Sequence, residues 1–360
     1  MFKHFLPSAL LLLLSAGITA CSDDDPITPQ TPPASPSSTS AYVLIQGNQY
    51  GGVSGSIDLI DMNNHTVATD AFYAVNQQSL GDTPQTAVRY GAKIYVPVFG
   101  SNVLWVLDAN TLKIVSQIQS EAPEAVCGED KHVYIASNNG YVTRLDTLSL
   151  QPDENRLQVG PNPAGLAAHN GKVYATISDG YNFSNNYENG KKVVVIDTHT
   201  FTKTTDYTVG LNPGQIVNNK LGDLFVVCRG NYKDVLPKVQ KISTDGQVSD
   251  YCEGTLLAMH NDTLYAINPQ ADYVNNTSQV NMKRFDTRNN QSSTFSFAAG
   301  EAPAMPNALN INPNNGHVFI SSDKGVNDYD KSGFVYEYKP DGTLVTRYSV
   351  GIHPFGVVFK

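Results

Sequence analysis

Eight aromatic side chains stand in segments rich in Asn, Gly and Ser: Tyr50, Phe99, Tyr181, Phe183, Tyr187, Tyr232, Tyr273 and Tyr329. Asn48, Asn182, Asn185, Asn186, Asn231, Asn275 and Asn276 lie among them. An aromatic ring offers a flat contact face at little entropic cost, and a carboxamide both donates and accepts hydrogen bonds. The chemistry of such a mixture is recognition. A large flat ligand fringed with amides, a glycan or a protein loop would each be served by it. The same side chains could also do no more than stabilise long loops. Arg229 stands in one of these segments, where a guanidinium suits an anionic group such as a phosphate or a structural salt bridge.

Signatures of bond-breaking chemistry are missing from the sequence. There is no Gly-x-Ser-x-Gly, no P-loop and no Gly-x-Gly-x-x-Gly. The eight His residues form no HxH or HxxxH pair, and His169, His260 and His353 read as structural residues at blade starts. Asp323, Asp328 and Asp330 fall in one segment and supply the oxygen ligands that Ca²⁺ prefers, but not at EF-hand spacing, and a solvated acidic loop is the plainer reading. No metal site is assigned. Beyond Cys21 the cysteines are Cys127, Cys228 and Cys252, without a CxxC; one bridge, such as Cys228 to Cys252, or buried thiols would both fit. Acid and base recruited from distant segments would leave no spacing signal, so a hydrolase or lyase stays open behind a non-catalytic reading.

The elements that must position these residues repeat. Seven times a Tyr or Phe leads a short apolar strand, at Tyr42, Tyr95, Tyr134, Tyr174, Phe225, Tyr265 and Phe319. The next strand usually ends in hydrophobe-Asp, as at Ile60-Asp61, Leu107-Asp108, Leu145-Asp146, Ile196-Asp197 and Phe285-Asp286. The closest copies are 39 or 40 residues apart and the widest 54. The clearest copy predicts strands at Gly165 to His169, Lys172 to Ile177, Val193 to Asp197 and Thr204 to Val209, with an Asn170-Gly171 hairpin. Four antiparallel strands per ~40 residues make a propeller blade, whereas β-helix rungs are shorter. Helical periodicity is absent after the N-terminal apolar run. The chain ends in a turn and one inner strand, 350–360, and Tyr42 begins a second strand with no first strand before it. The expected fold is therefore an all-β, seven-bladed propeller over 41–360, closed by a clasp between its N- and C-terminal strands.

Strand order then places the loops between second and third strands on one face, with the connections between blades. Those loops span 46–55, 99–102, 137–140, 178–190, 229–237, 268–279 and 322–333, and they hold the aromatic and Asn residues above. Residues 41–360 exceed seven ~40-residue blades by roughly 40 residues, and most of that excess is expected in these loops.

Net charge is −9 with no basic stretch, which excludes nucleic acid as a partner. Lys3 and His4 precede the apolar run Ala9 to Leu14, too short to span a bilayer, as in a signal peptide over 1–20. Pro26 to Ser40 is rich in Pro, Ser and Thr and reads as an extended tether reaching up to about 50 Å.

Four resemblances add to this. Ile18-Thr19-Ala20-Cys21 resembles the lipobox of bacterial lipoproteins, which implies lipidation of Cys21. Ser22-Asp23-Asp24-Asp25 resembles the Bacteroidetes signal that exports lipoproteins to the outer face of the outer membrane. The turn Val159 to Gly165 and the phrase hydrophobe-Asp-x-x-Thr resemble YncE-like propellers. Leu80 to Gln85 and Cys228-Arg229-Gly230-Asn231-Tyr232 look like Bacteroidetes surface-lipoprotein propellers once described only as domains of unknown function. That group includes the BtuG-type lipoproteins. The resemblance implies capture of a corrinoid (cobalamin), as cargo and not as a catalytic cofactor, for a TonB-dependent outer-membrane transporter. The expected contacts are Tyr50, Phe99, Tyr181, Asn182, Phe183, Tyr187, Arg229, Asn231, Tyr232, Tyr273 and Tyr329. A glycan- or protein-binding surface propeller is the alternative.

Overall fold

The computed structural model describes residues 39–360. They form seven four-stranded antiparallel sheets, six of them with their strands in chain order from the inner edge outward. Blades 2 to 7 span 88–119, 123–158, 163–208, 213–252, 256–294 and 305–352. Blade 1 joins the two ends of the described chain. Its inner strand is Pro354–Phe359 and its outer three are Ser40–Ile45, Ser56–Asp61 and Thr66–Ala68. The clasp pairs Ala41 with Phe359 and Val43 with Val357, which satisfies the strand edge at Ser40–Ile45. The propeller takes in Ser40, one residue before the expected start.

The repeated residues have physical explanations. All seven leading aromatics are buried on second strands, between neighbouring blades. Burying each such ring contributes about 1.5–3 kcal/mol. The hydrophobe-Asp motif ends third strands because its carboxylate caps the following turn. Asp108 Oδ1 accepts from the Asn110 and Thr111 amides at 3.0 and 2.8 Å. Asp197 Oδ1 does the same for Thr200 at 2.8 Å. Backbone hydrogen bonds to Ser149 and Thr200 hold the carboxyls of Asp146 and Asp197 below their ordinary range. Asn170 and Gly171 have φ of 48° and 74°, the left-handed pair that a type I′ hairpin requires. The four strands expected in this blade lie at Pro163–His169, Lys172–Ile177, Lys192–Asp197 and Thr202–Thr208.

Two features depart from the expected pattern. A helix, Ala71–Asn76, sits in the connection from blade 1 to blade 2. It is too short to show periodicity. It forms because Ala71 and Phe72 are buried against Leu80 and Trp105, filling the wedge left where the outer strand of blade 1 stops after Ala68. The segment 69–87 therefore carries much of the excess length assigned to the loops. In blade 6 the expected loop 268–279 is mostly ladder. Strands Thr263–Asp272 and Thr277–Asp286 stay paired up to Asp272 and Thr277, so only 273–276 turn.

Cys127, Cys228 and Cys252 are free thiols. Cys228 and Cys252 lie on the second and fourth strands of blade 5 with Lys238–Ile242 between them. Burial pushes the Cys228 thiol up to about 11 and that of Cys252 to about 12. Among the described residues no helix is long and apolar enough to cross a membrane. Cys21 and Ser22, Asp23, Asp24 and Asp25 lie outside the described residues.

Candidate functional site

The inner strands of all seven blades line a central channel with a cavity of about 300 Å³. Its wall is mostly small or apolar, including Ala125, Leu166, Ile216, Leu309 and Val357, with Gln85, Gln215, Asn307 and Asn310 interspersed. Two lining residues carry formal charges, Glu124 on blade 3 and Arg229 at the end of the second strand of blade 5.

Loop length sets the relief around the channel mouth. Blades 2 and 3 have tight turns, 99–102 and 138–140, whereas blades 1, 4, 5 and 7 have long ones and blade 6 has its projecting hairpin. The tall elements form a crescent that is low over blades 2 and 3. Tyr50, Tyr181, Phe183, Tyr232, Tyr273 and Tyr329 are exposed on it, each on a loop of blade 1, 4, 5, 6 or 7. Val235, Leu236 and Val274 are exposed beside them. Phe99 is half-buried on the low side, its amide held by the Thr83 carbonyl at 3.0 Å.

The crescent is cross-braced. Asn231 is only 8% exposed, and its Nδ2 donates to Asn186 Oδ1 of the neighbouring loop at 2.9 Å and to Asp234 Oδ1 at 2.7 Å. Its Oδ1 accepts from the amides of Lys233, Asp234 and Val235. Tyr187 is 7% exposed and packs edge-on against Tyr232, ring centres 6.3 Å apart. Asn182 exchanges side-chain hydrogen bonds with Asp179 and Asn185. Asn327 ties the loops of blades 7 and 6 through the Tyr273 carbonyl at 3.1 Å and Asn276 Oδ1 at 3.3 Å. Of the expected contact residues, Tyr187, Asn182 and Asn231 thus brace the loops that present Tyr181, Phe183 and Tyr232.

Glu124 and Asn138 carry no motif, Asn162 stands in the turn Val159 to Gly165, and the three connect loop to channel. The Tyr181 amide donates to Asn162 Oδ1 at 3.2 Å, Asn162 Nδ2 to the Asn138 carbonyl at 2.9 Å, and Asn138 Nδ2 to Glu124 Oε2 at 2.9 Å. Burial pushes the Glu124 carboxyl up to about 7, against the opposing pull of the Arg229 charge and the Asn138 hydrogen bond. The only advance signal was indirect: Asn162 stands in the Gly-Pro-Asn-Pro turn, where its φ of 48° suits Asn.

The acidic segment of blade 7 is dispersed. His353 Nδ1 lies 3.0 Å from both carboxylate oxygens of the buried Asp323, and Asp328 pairs with Lys331. Among the described residues no three His, Cys, Asp or Glu gather as metal ligands would.

The family described as Domain of unknown function (DUF5074) matches residues 41–360. No curated protein matches the chain. Among solved structures, a quinonprotein alcohol dehydrogenase-like protein from Bacteroides thetaiotaomicron superposes with a TM-score of 0.63 at 14% identity, over 89% of this chain and 78% of that one. Hydrazine synthase from Kuenenia stuttgartiensis superposes with a TM-score of 0.58 at 13% identity, over 73% and 85%. At these identities the likeness concerns the fold alone.

Proposed function

The chain belongs to the family described as Domain of unknown function (DUF5074), and from that premise we propose a surface-anchored, non-catalytic propeller that captures a corrinoid and passes it to a TonB-dependent outer-membrane transporter. One observation carries the reading: exposed aromatic rings on five blades surround a channel mouth whose wall mixes apolar and amide groups. Such a crescent can cover the apolar faces of a macrocycle, and Gln and Asn can pair with its peripheral amides. Bracing between loops lowers the entropy lost on binding. Lipidation at Cys21 and a 26–38 tether would hold the domain at the cell surface beside the transporter and raise their effective concentration. No bond is made or broken in this reading.

Gel filtration of the purified protein with cyanocobalamin tests it. Red colour travelling with the protein supports capture, and free elution at micromolar protein rules it out. The aliphatic residues Val235, Leu236 and Val274 beside the rings favour a second reading, a protein or glycan partner. Binding of a glycan array or a transporter ectodomain without corrinoid binding would select it.

A further inference from the structure

We propose that the mouth of the channel contains a proton-linked subsite for a singly charged oxyanion, with Arg229 as the anion's partner and Glu124 as the group that gates it. The assignment does not depend on the ligand being a corrinoid.

Arg229 is half-buried, yet its guanidinium donates no hydrogen bond to any described residue and enters no ion pair within 4.0 Å, so its donors are unspent. It lies flat on Gly214: a Cβ there would sit 2.6 Å from the guanidinium carbon and 2.8 Å from Nε. Glycine at this inner-strand position lets the cation reach the channel wall. A half-buried guanidinium with free donors presents the planar fork that matches carboxylates and phosphodiesters.

Glu124 faces the same space from blade 3. Its Oε2 is anchored by Asn138, and the Tyr181 segment approaches from blade 4, where burial and the Glu124 charge raise the Tyr181 hydroxyl. The other polar groups lining the channel, Gln85, Thr86, Gln215, Thr255, Asn307 and Asn310, do not titrate. Gln215 is committed to the backbone of Leu257 and Asn310 to the amide of Val357. At the rim beside Phe355, His353 is paired with Asp323. Glu124 is therefore the group whose charge decides the field at Arg229.

The sign follows. With its carboxyl raised to about 7, Glu124 is ionised above neutrality and compensates Arg229, which weakens anion binding. Below neutrality it becomes neutral, and the guanidinium charge is uncompensated. A bound anion further favours the neutral carboxyl, so binding takes up a proton.

Dimethyl phosphate and acetate are suitable probes, because each stays singly charged between pH 6 and pH 8. Calorimetric titration of the purified protein is expected to show binding up to about tenfold tighter at pH 6 than at pH 8. Proton uptake should appear as a dependence of the heat on buffer ionisation enthalpy. Glu124→Gln should hold the affinity near its acid value at both pH values. Arg229→Gln should abolish binding, with Arg229→Lys retaining part of it. Binding indifferent to Arg229→Gln, a pH-independent wild type or no binding of either anion overturns the subsite. Failure here with cyanocobalamin still captured would leave the corrinoid reading standing. Anion binding without corrinoid capture would leave the subsite and remove that reading.

Discussion

At the scale of single residues, identical side-chain types divide by burial. Tyr181 and Tyr187 belong to one loop, but Tyr181 projects into solvent and Tyr187 is packed beneath Tyr232. Truncating the first removes contact area that a ligand would cover; truncating the second removes support. Tyr181→Ala is expected to weaken corrinoid binding by roughly tenfold or more with unchanged thermal stability. Tyr187→Ala should lower the melting temperature and weaken binding only through displacement of Tyr232. Paired calorimetric titrations and thermal melts separate the two. Asn231 was identifiable as a loop residue, but its role as a brace was not, because its partner Asn186 is 45 positions away.

At the scale of elements, short segments owe their form to what they cover. The helix Ala71–Asn76 has an Asp70 cap, yet two turns of isolated helix are unstable in water. Its stability comes from Phe72, fully buried with its ring centre 5.5 Å from that of Trp105. Trp105 Nε1 in turn donates to the Leu80 carbonyl at 2.7 Å, and Gly81 pairs with Gly55 in the blade 1 loop. Phe72→Ala is expected to cost about 3–5 kcal/mol and to loosen the loop that carries Tyr50. Thermal unfolding with hydrogen exchange at 46–55 and 69–87 measures both effects. Strands with alternating or leading aromatics were legible, since burial enforces a period of two. The helix and the extended hairpin of blade 6 were not, since tertiary cover and the ladder decide them.

At the scale of the whole molecule, closure depends on the last strand. Pro354–Phe359 pairs with Ser40–Ile45, while Asp58 on blade 1 accepts from the Gly351 amide of blade 7 at 2.9 Å. The seam is reinforced where Tyr348 donates to Glu337 at 2.7 Å and meets His65 of blade 1 at 3.3 Å. Removing 354–360 would expose the edge of Ser40–Ile45 and leave six complete blades with a gap. The truncated chain is expected to lose its single sharp melting transition and to aggregate, as light scattering and calorimetry would register. A separately supplied peptide of residues 350–360 should restore the transition in part.

The sequence by itself determined the architecture, because each blade repeats one local code. A buried aromatic starts the second strand, an Asp caps the turn after the third, and Asn-Gly or its equivalents turn the inner hairpin. These are near-neighbour effects, readable within a blade. It also showed that the irregular residues share one face, which follows from strand order. Only the tertiary structure decided which of those residues point outward, which brace their neighbours, and which polar groups meet in the channel. Glu124 and Arg229 stand on blades 3 and 5, more than a hundred positions apart. They share one cavity because seven inner strands converge on an axis, and no spacing along the chain encodes that convergence.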